Sequence, residues 1–357
     1  MTDPGAALDP ARVERILASF AGAADRLQVA VVDVAGHPIA KSSGSTGSTG
    51  SKESTGDDAP PIDGLVLDIR CAGGVVGRVV ASGPATTDPT VVSALDALAA
   101  GLGELAEADY RSLASELAQA RLAQRSFVSL HGPVVPGYDL ASHYEAAREI
   151  GGDFFELFQL HKRRRPVGVV IADVTGKGIG AGMLMAFARP VIHAALDASR
   201  GPADALERTN RILVDEIRSG LFITAIAGVL DVTTGRLRMA NAGHEPPLLV
   251  PGDDGPIGAI EGGGVLLGAY RTLGAPELDV ELRPGDSLVL YTDGVTDAVG
   301  PSGERFGEPR MLATIEAARR GSAYDIVAAL RDAVADFRGS VPPADDVTIV
   351  VIGRHRP

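Results

Sequence analysis

Four aspartates stand where a carboxylate could do chemistry instead of simply facing solvent. Each sits at the end of a predicted strand, beside glycine or another turn residue, whereas acids elsewhere lie on predicted helices. Taken singly, such residues usually cap helices or form turns. Several partly buried carboxylates that converge are costly unless a cation neutralises them, so the set predicts a metal site. Its members are Asp153 in EIGGD, Asp173 in IADVTG, Asp293 in YTDG and Asp345 in ADDVT.

The ligand types restrict both the metal and the reaction. Ligation by oxygen alone selects hard ions such as Mg²⁺ or Mn²⁺, and the seven histidines offer no i, i+4 pair that would suggest zinc. The single Cys71 excludes a thiolate zinc site and an internal disulfide. Two hard ions about 3.5–4 Å apart can hold a shared hydroxide as nucleophile and neutralise a phosphoryl oxygen. We therefore expect hydrolytic phosphoryl chemistry.

The elements that must position these aspartates begin near Gly137. Several strands are joined by tight turns and separated by pairs of helices, which predicts an α+β layered sandwich and not a parallel doubly wound sheet. Helices are expected near 181–199, 202–219 and 324–337. Strands are expected near 138–147, 153–160, 167–173, 222–231, 236–241, 247–250, 287–291 and 348–352.

The N-terminal part of the chain predicts a separate small α/β unit. Short β-rich runs occur at 27–34, 65–70 and 75–82, and a Gly/Ser/Thr tract at 42–56 is expected to be a flexible loop. The unit weakly resembles the GAF/PAS class of sensory domains. We divide the chain into a sensory or regulatory domain at 1–87, a linker helix at 88–130 and a catalytic domain at 131–357.

The linker carries a heptad-like stripe. Leu95, Leu98, Leu102 and Leu105 are spaced as in a coiled-coil seam, Asp109 interrupts it, and the stripe resumes at Leu113, Leu117 and Ala120. Either this helix lies on its own domains or it forms a homodimer through residues 88–127.

The composition limits the classes of molecule that the protein could bind. The chain has 357 residues and a net charge of −13, which argues against a nucleic-acid or anionic-lipid surface. The N-terminus lacks the features of a signal peptide, and no apolar run approaches the length of a membrane span. We expect a cytoplasmic protein that acts on a protein or a small substrate.

Six stretches together resemble the PPM (type 2C) serine/threonine phosphatase superfamily, in particular its bacterial SpoIIE/RsbU-like branch. The resemblance covers about residues 137–353 and follows the family's motif order. The stretches are EIGGDFFELF at 149–158, VVIADVTGKGIGAGMLM at 169–185, FITAIAGVLD at 222–231, NAGHEPPLL at 241–249, LYTDGVTDA at 290–298 and DDVTIVV at 345–351.

This resemblance implies an α-β-β-α sandwich and a metal-dependent protein phosphatase. Asp153 and Asp173 would contact two Mn²⁺ or Mg²⁺ ions, the backbone carbonyl of Val174 would be a further ligand, and Asp293 and Asp345 would complete the site. The substrate would be a phosphoserine or phosphothreonine protein, namely an anti-anti-sigma (STAS) protein. Separately, the broken register of the linker helix offers two packings, from which we expect the N-terminal unit to regulate activity through this helix.

Departures from the family pattern concern residues around the ligands. Glu156 stands where Asp is common, and Asp297 where Glu is common. Val174-Thr175 replaces a histidine that eukaryotic type 2C enzymes place there as an acid, so the leaving-group acid is unassigned. Lys177 is interpreted as a solvent-facing loop lysine or as a group that orients substrate, and His244 as a turn residue or as a group near the substrate.

Two other function classes fit parts of the pattern. A catalytically dead signalling scaffold would bind a phosphoprotein without turnover, but all four acids are present. A metal-dependent phosphohydrolase of small molecules would need a deep closed pocket, whereas a protein substrate needs an open cleft.

Overall fold

The protein was analysed as a computed structural model in which two compact units, Met1–Leu117 and Ala118–Pro357, divide the chain. The predicted boundaries at residues 87 and 130 remain a prediction, because helix α2 (Pro89–Phe127) contains the boundary between the two units. The structure describes residues 9–21, 28–35, 37–41, 65–71, 74–82, 84–127, 132–162, 165–217 and 220–356. The Gly/Ser/Thr tract lies outside these residues.

The first unit contains one antiparallel sheet of four strands in the order β2-β1-β4-β3. Side chains of the sheet and of two helices form its core, with Leu17, Val31, Ile69, Leu95 and Leu102 almost fully buried. Its elements are α1 (Pro10–Ala21), β1 (Gln28–Val32), β2 (Pro38–Lys41), β3 (Leu65–Cys71), β4 (Gly74–Ser82), a 3₁₀ helix (Pro84–Thr87) and the first part of α2.

The first part of the heptad-like stripe of α2 packs into the core of this unit. Leu95, Leu98 and Leu102 are buried in its core. Asp109, which interrupts the stripe, accepts a salt bridge from Arg12 of α1 at 2.8 Å. The interruption therefore marks the place where the helix meets a charged partner from its own unit. Leu113, farther along, is 44% exposed.

The second unit stacks two antiparallel sheets of five strands between two pairs of helices. Sheet I has the order β12-β9-β8-β7-β6, and sheet II the order β11-β10-β13-β14-β5. The strands are β5 (Tyr138–Glu145), β6 (Phe154–Gln159), β7 (Val167–Val174), β8 (Ile223–Asp231), β9 (Arg236–Ala242), β10 (Leu248–Val250), β11 (Gly258–Ala259), β12 (Glu277–Glu281), β13 (Ser287–Tyr291) and β14 (Val347–Arg354). The helices are α3 (Ile179–Ala198), α4 (Pro202–Glu216), α5 (Asp293–Thr296), α6 (Gly307–Ala318) and α7 (Ala323–Arg338).

Strand β14 shows how the layers are held together. Val350 and Ile352 belong to the core that sheet II shares with sheet I, while Ile349 and Val351 belong to the core under α6 and α7. Because side chains alternate along a strand, one strand supplies two cores. The predicted α-β-β-α sandwich is confirmed.

Contrary to the expectation from the sequence, helix α3 is long enough and apolar enough to cross a membrane by length and composition alone. Its buried residues, among them Leu184, Met185, Ile192 and Leu196, pack with α4 and β7 in the core of the second unit. Packing against sheet I and α4 buries part of this apolar surface, whereas Ile179, Met183 and Phe187 are exposed.

The sequence prediction missed elements whose local signals are weak. Strand β12 reads ELDVE and buries only Val280, because it is an edge strand with charged side chains. Helix α6 begins after Phe306 without a side-chain cap, so it lacks the usual start signal. The other elements that were not predicted are α1, β2, β11 and α5.

Candidate metal centre and active site

The structure brings the four predicted aspartates to one end of the sandwich. Asp153 immediately precedes β6, and Asp173 is the penultimate residue of the neighbouring strand β7 in sheet I. Asp293 follows β13 and Asp345 precedes β14, which is the neighbour of β13 in sheet II. Each sheet therefore contributes two carboxylates.

Asp153 is the most deeply buried of the four. Its Oδ2 accepts hydrogen bonds from the hydroxyls of Thr292 and Thr348 at 2.8 and 2.7 Å. Burial, followed by the charges of Asp173 and Asp346, raises the pKa of Asp153 well above its usual value, against the lowering effect of the two hydroxyls. A carboxylate next to sheet I is thus held by two threonines of sheet II. Thr292 directly follows β13, and Thr348 is the second residue of β14.

Asp173 interacts directly with Asp153. Burial, together with the charges of Asp293, Asp345 and Asp346, raises the pKa of Asp173 to about 6, against the lowering effect of a side-chain hydrogen bond with Asp153. The pKa of Asp293 is also raised, first by burial and then by Asp345. Asp153, Asp173 and Asp293 therefore share one electrostatic environment that disfavours their negative charges.

The main-chain carbonyl of Val174 faces the segment before Asp153. A methyl group added at Gly152 would lie 2.9 Å from that oxygen. This position matches the further ligand that the family resemblance implied, although its role in binding metal remains a prediction.

Asp346, to which the sequence analysis gave no role, organises the segment that leads to Asp153. Its Oδ2 accepts hydrogen bonds from the backbone N–H groups of Gly152 and Asp153 at 2.7 and 3.3 Å, and its Oδ1 accepts one from Ala147 at 2.7 Å. Gly294 allows the start of α5 to approach this region, because a methyl group there would collide with the backbone carbonyl of Asp346.

The sequence analysis also missed three further residues near Asp153. Thr292 and Thr348 are fully buried, and each flanks a predicted ligand in sequence by a few residues. The Tyr144 hydroxyl is buried without a hydrogen-bond partner among the described residues, and burial plus the charges of Asp346 and Asp153 raise its pKa. Polar residues at inward positions of apolar strands were the available signal.

His244 lies inside the protein between the two sheets. Its Nδ1 is 2.7 Å from the Thr224 hydroxyl, and Thr224 is paired with Asp173 across β7 and β8. The side chain of Asn241 holds the His244 backbone through its N–H and its carbonyl, at 2.7 and 2.9 Å. Of its two interpretations, the structure favours the buried turn residue.

The donor set fits hard divalent cations. The four carboxylates are buried or half-buried and lie close to one another, so a bound cation would stabilise their negative charges. Oxygen ligands suit Mg²⁺ and Mn²⁺. Among the described residues, no three acidic, imidazole or thiol side chains stand close enough to hold an ion without rearrangement. Instead, Asp153 accepts hydrogen bonds from hydroxyls, and Asp345 forms a salt bridge with Lys177. A metal ion that binds these carboxylates would have to replace some of these contacts.

Comparison with known families gives one match that covers more than half of the chain. The model described as stage II sporulation protein E (SpoIIE) matches residues 163–355. Asp173, Asp293 and Asp345 fall inside the matched range, while Asp153 precedes it.

Two relatives extend this similarity. Protein IcfG of Synechocystis sp. is 27% identical over 270 residues, which cover 67% of this chain and 42% of IcfG. Phosphoserine phosphatase RsbU of Bacillus subtilis is 26% identical over 246 residues, which cover 68% of this chain and 71% of RsbU. The aligned part thus spans less than half the length of IcfG.

A solved structure supports the same fold. The RsbU and RsbW domains of a Mycobacterium tuberculosis protein are 29% identical, with a TM-score of 0.55, and the match covers 64% of this chain and 63% of that chain.

The burial of His244 predicts a pH dependence of stability. Burial lowers its pKa from 6.5 to about 4, against a smaller opposing effect from the main chain of Tyr291. Between these values the unfolded state binds the proton more readily, so the free energy of unfolding falls as pH decreases from about 7 to 4. The contribution of this histidine is about 3 kcal/mol. Urea unfolding of wild type and His244→Gln should show a shallower pH dependence in the variant, and parallel curves would contradict this account.

Proposed function

Because this chain belongs to the SpoIIE family, within the SpoIIE/RsbU branch of the PPM (type 2C) phosphatases, we propose that it is a metal-dependent serine/threonine protein phosphatase. The observation that carries the proposal is the convergence of four carboxylates from two sheets around the buried Asp153. When bound, two Mn²⁺ or Mg²⁺ ions would activate water and neutralise phosphoryl oxygens. The residues that would hold them are Asp153, Asp173, Asp293, Asp345 and the carbonyl of Val174.

The protein's own residues fix the ligand positions before substrate arrives. Thr292 and Thr348 orient Asp153 through their hydroxyls, and Asp346 fixes the preceding loop through three backbone N–H groups. Such preorganisation lowers the cost of assembling the site during the reaction. Hydrolysis then proceeds by direct attack of water on phosphorus, without a covalent enzyme intermediate.

We propose a phosphoserine or phosphothreonine protein as the substrate. RsbU, which aligns with 68% of this chain, is a phosphoserine phosphatase. The family resemblance favours a phosphorylated STAS anti-anti-sigma protein as that substrate. A cytoplasmic location is consistent with such a partner.

Hydrolysis assays test the catalytic proposal. The full chain should hydrolyse p-nitrophenyl phosphate and a phosphoserine peptide with Mn²⁺ or Mg²⁺, and EDTA should abolish the activity. Asp173→Asn should lower kcat/KM at least about a hundredfold, because it weakens charge stabilisation of the transition state. The matched control Asp336→Asn makes the same change at an exposed position on α7. Absence of metal-dependent turnover by the wild-type chain would contradict the proposed function.

We further propose that the N-terminal unit regulates this site through α2. The last turns of α2 belong to the second unit, where the buried amide of Gln124 makes two hydrogen bonds with Gly151. Its Nε2 donates to the Gly151 carbonyl at 2.7 Å, and its Oε1 accepts from the Gly151 N–H at 3.1 Å. Gly151 is two residues before Asp153, so a displacement of the helix end would be transmitted to a predicted ligand.

The space around this contact is tight. A methyl group at Gly182 of α3 would collide with Ile150, and it would also lie 3.3 Å from Nε2 of Gln124 and from the carbonyl of Gly151. The helix end, the loop before Asp153 and the start of α3 therefore pack as one cluster. Regulation through α2 would require this cluster to have two arrangements that differ in activity.

A substitution at Gln124 tests this regulation. Gln124→Ala leaves both polar groups of Gly151 without their partner, so we expect the Mn²⁺ concentration for half-maximal activity to rise about tenfold in the full chain. Gln119→Ala, at an exposed position of the same helix, is the matched control. If both variants require the same Mn²⁺ concentration as wild type, α2 does not act through Gly151.

Homodimer formation through residues 88–127 also remains a proposal. The leucines at 95, 98 and 102 are buried in the first unit, whereas Leu113 and Leu122 are exposed. We propose that a partner helix would contact the later part of α2.

A further inference from the structure

Lys177 crosses the opening of the site from one sheet to the other. It lies in the turn between β7, which carries Asp173, and α3, and the glycines on both sides of it, Gly176 and Gly178, have φ values of 88° and 78°. Its ammonium contacts Oδ2 of Asp345 at 2.9 Å and donates to the carbonyl of Ala344. The loop of sheet I thus places a cation on a carboxylate of sheet II.

The ion pair is only half-buried. The side chains of Lys177 and Asp345 are 37% and 40% exposed, in contrast to the buried Asp153. An exposed pair of this kind contributes little to stability, because water screens it and both side chains lose freedom. Lys177 can therefore leave Asp345 at little cost.

The charge of Lys177 also acts on Asp293. Burial and the charges of Asp345 and Asp297 raise the pKa of Asp293, and the ammonium of Lys177 opposes this rise. Asp293 and Asp345 together are half of the proposed ligand set, so the ammonium occupies the electrostatic position that a divalent cation would take at this side of the site.

We propose that Lys177 acts as an exchangeable cation that competes with the divalent metal for Asp345 and, once displaced, binds the phosphoryl oxygens of the substrate. This inference rests on the proposed phosphatase function and adds to it a substrate-contacting residue. Lysine suits the task because its ammonium is a point charge with three donors on a flexible four-carbon stem.

Electrostatics gives a reason for such a residue. A phosphate monoester is a dianion, and clustered carboxylates repel it unless positive charge exceeds their own. A lysine released at the mouth of the site supplies that charge where the substrate enters. The same lysine, while paired with Asp345, reduces repulsion among the carboxylates before metal binds.

For one variant, the proposal predicts that the affinity for Mn²⁺ rises while the affinity for phosphate falls. Lys177→Met removes the competing cation, so Mn²⁺ should bind the full chain about fivefold more tightly in calorimetric titrations without substrate. The same substitution removes a phosphate contact, so inorganic phosphate should inhibit hydrolysis about tenfold more weakly and kcat/KM should fall about tenfold or more. Lys177→Arg keeps the charge and should retain phosphate inhibition within about threefold.

Arg320→Met is the matched control, since it removes one positive charge from an exposed ion pair with Asp254. Equal Mn²⁺ and phosphate affinities in Lys177→Met and Arg320→Met would overturn the proposal while leaving the phosphatase function intact. Weaker binding of both ligands by Lys177→Met would overturn it as well, because it would indicate a structural role. Failure of the wild-type chain to bind Mn²⁺ would instead contradict the proposed function itself, and the inference with it.

Discussion

The buried carboxylate of Asp153 is the constraint on which the arrangement of this site depends. A negative charge inside a protein is unfavourable unless hydrogen bonds or cations compensate for it. Here the hydroxyls of Thr292 and Thr348 donate to the same oxygen, and both threonines belong to the other sheet. The two sheets must therefore be stacked in one register for the site to form. The stacking of the two sheets and the formation of the site are therefore coupled.

The remaining groups follow from that arrangement. Strands β13 and β14, fixed beside Asp153, bring Asp293 and Asp345 near Asp173, and burial followed by repulsion among these carboxylates raises the pKa of Asp173 and Asp293. The carboxylate of Asp346 accepts hydrogen bonds from backbone N–H groups, and these bonds hold the loop before Asp153 in place. The site thus brings several carboxylates together, and a bound divalent cation would compensate their charges. Under the proposed function, metal binding and control by α2 would both act on the loop before Asp153.

Much of this could be predicted from the sequence, for physical reasons. Strands that end in aspartate beside glycine are distinctive, so Asp153, Asp173, Asp293 and Asp345 were found, and the alternating pattern of the main strands predicted the sandwich. Thr292 and Thr348 could be noticed in the sequence only as polar residues at apolar strands, and the carboxylate that their hydroxyls contact could not be predicted. Contacts between residues far apart in sequence, such as Gln124 with Gly151 or Lys177 with Asp345, depend on the completed fold. For the same reason, the stripe of α2 did not reveal that its first leucines cover the unit's own sheet.

The central claim is that the four carboxylates form a binuclear site, and anomalous scattering from crystals grown with Mn²⁺ tests it most directly. The account predicts two anomalous peaks about 3.5–4 Å apart at the end of the sandwich. Both should lie within coordination distance of Asp153, Asp173, Asp293 or Asp345, with Lys177 moved away from Asp345. Peaks only elsewhere on the protein, or an intact Lys177 to Asp345 ion pair with no peak between the carboxylates at saturating Mn²⁺, would contradict it.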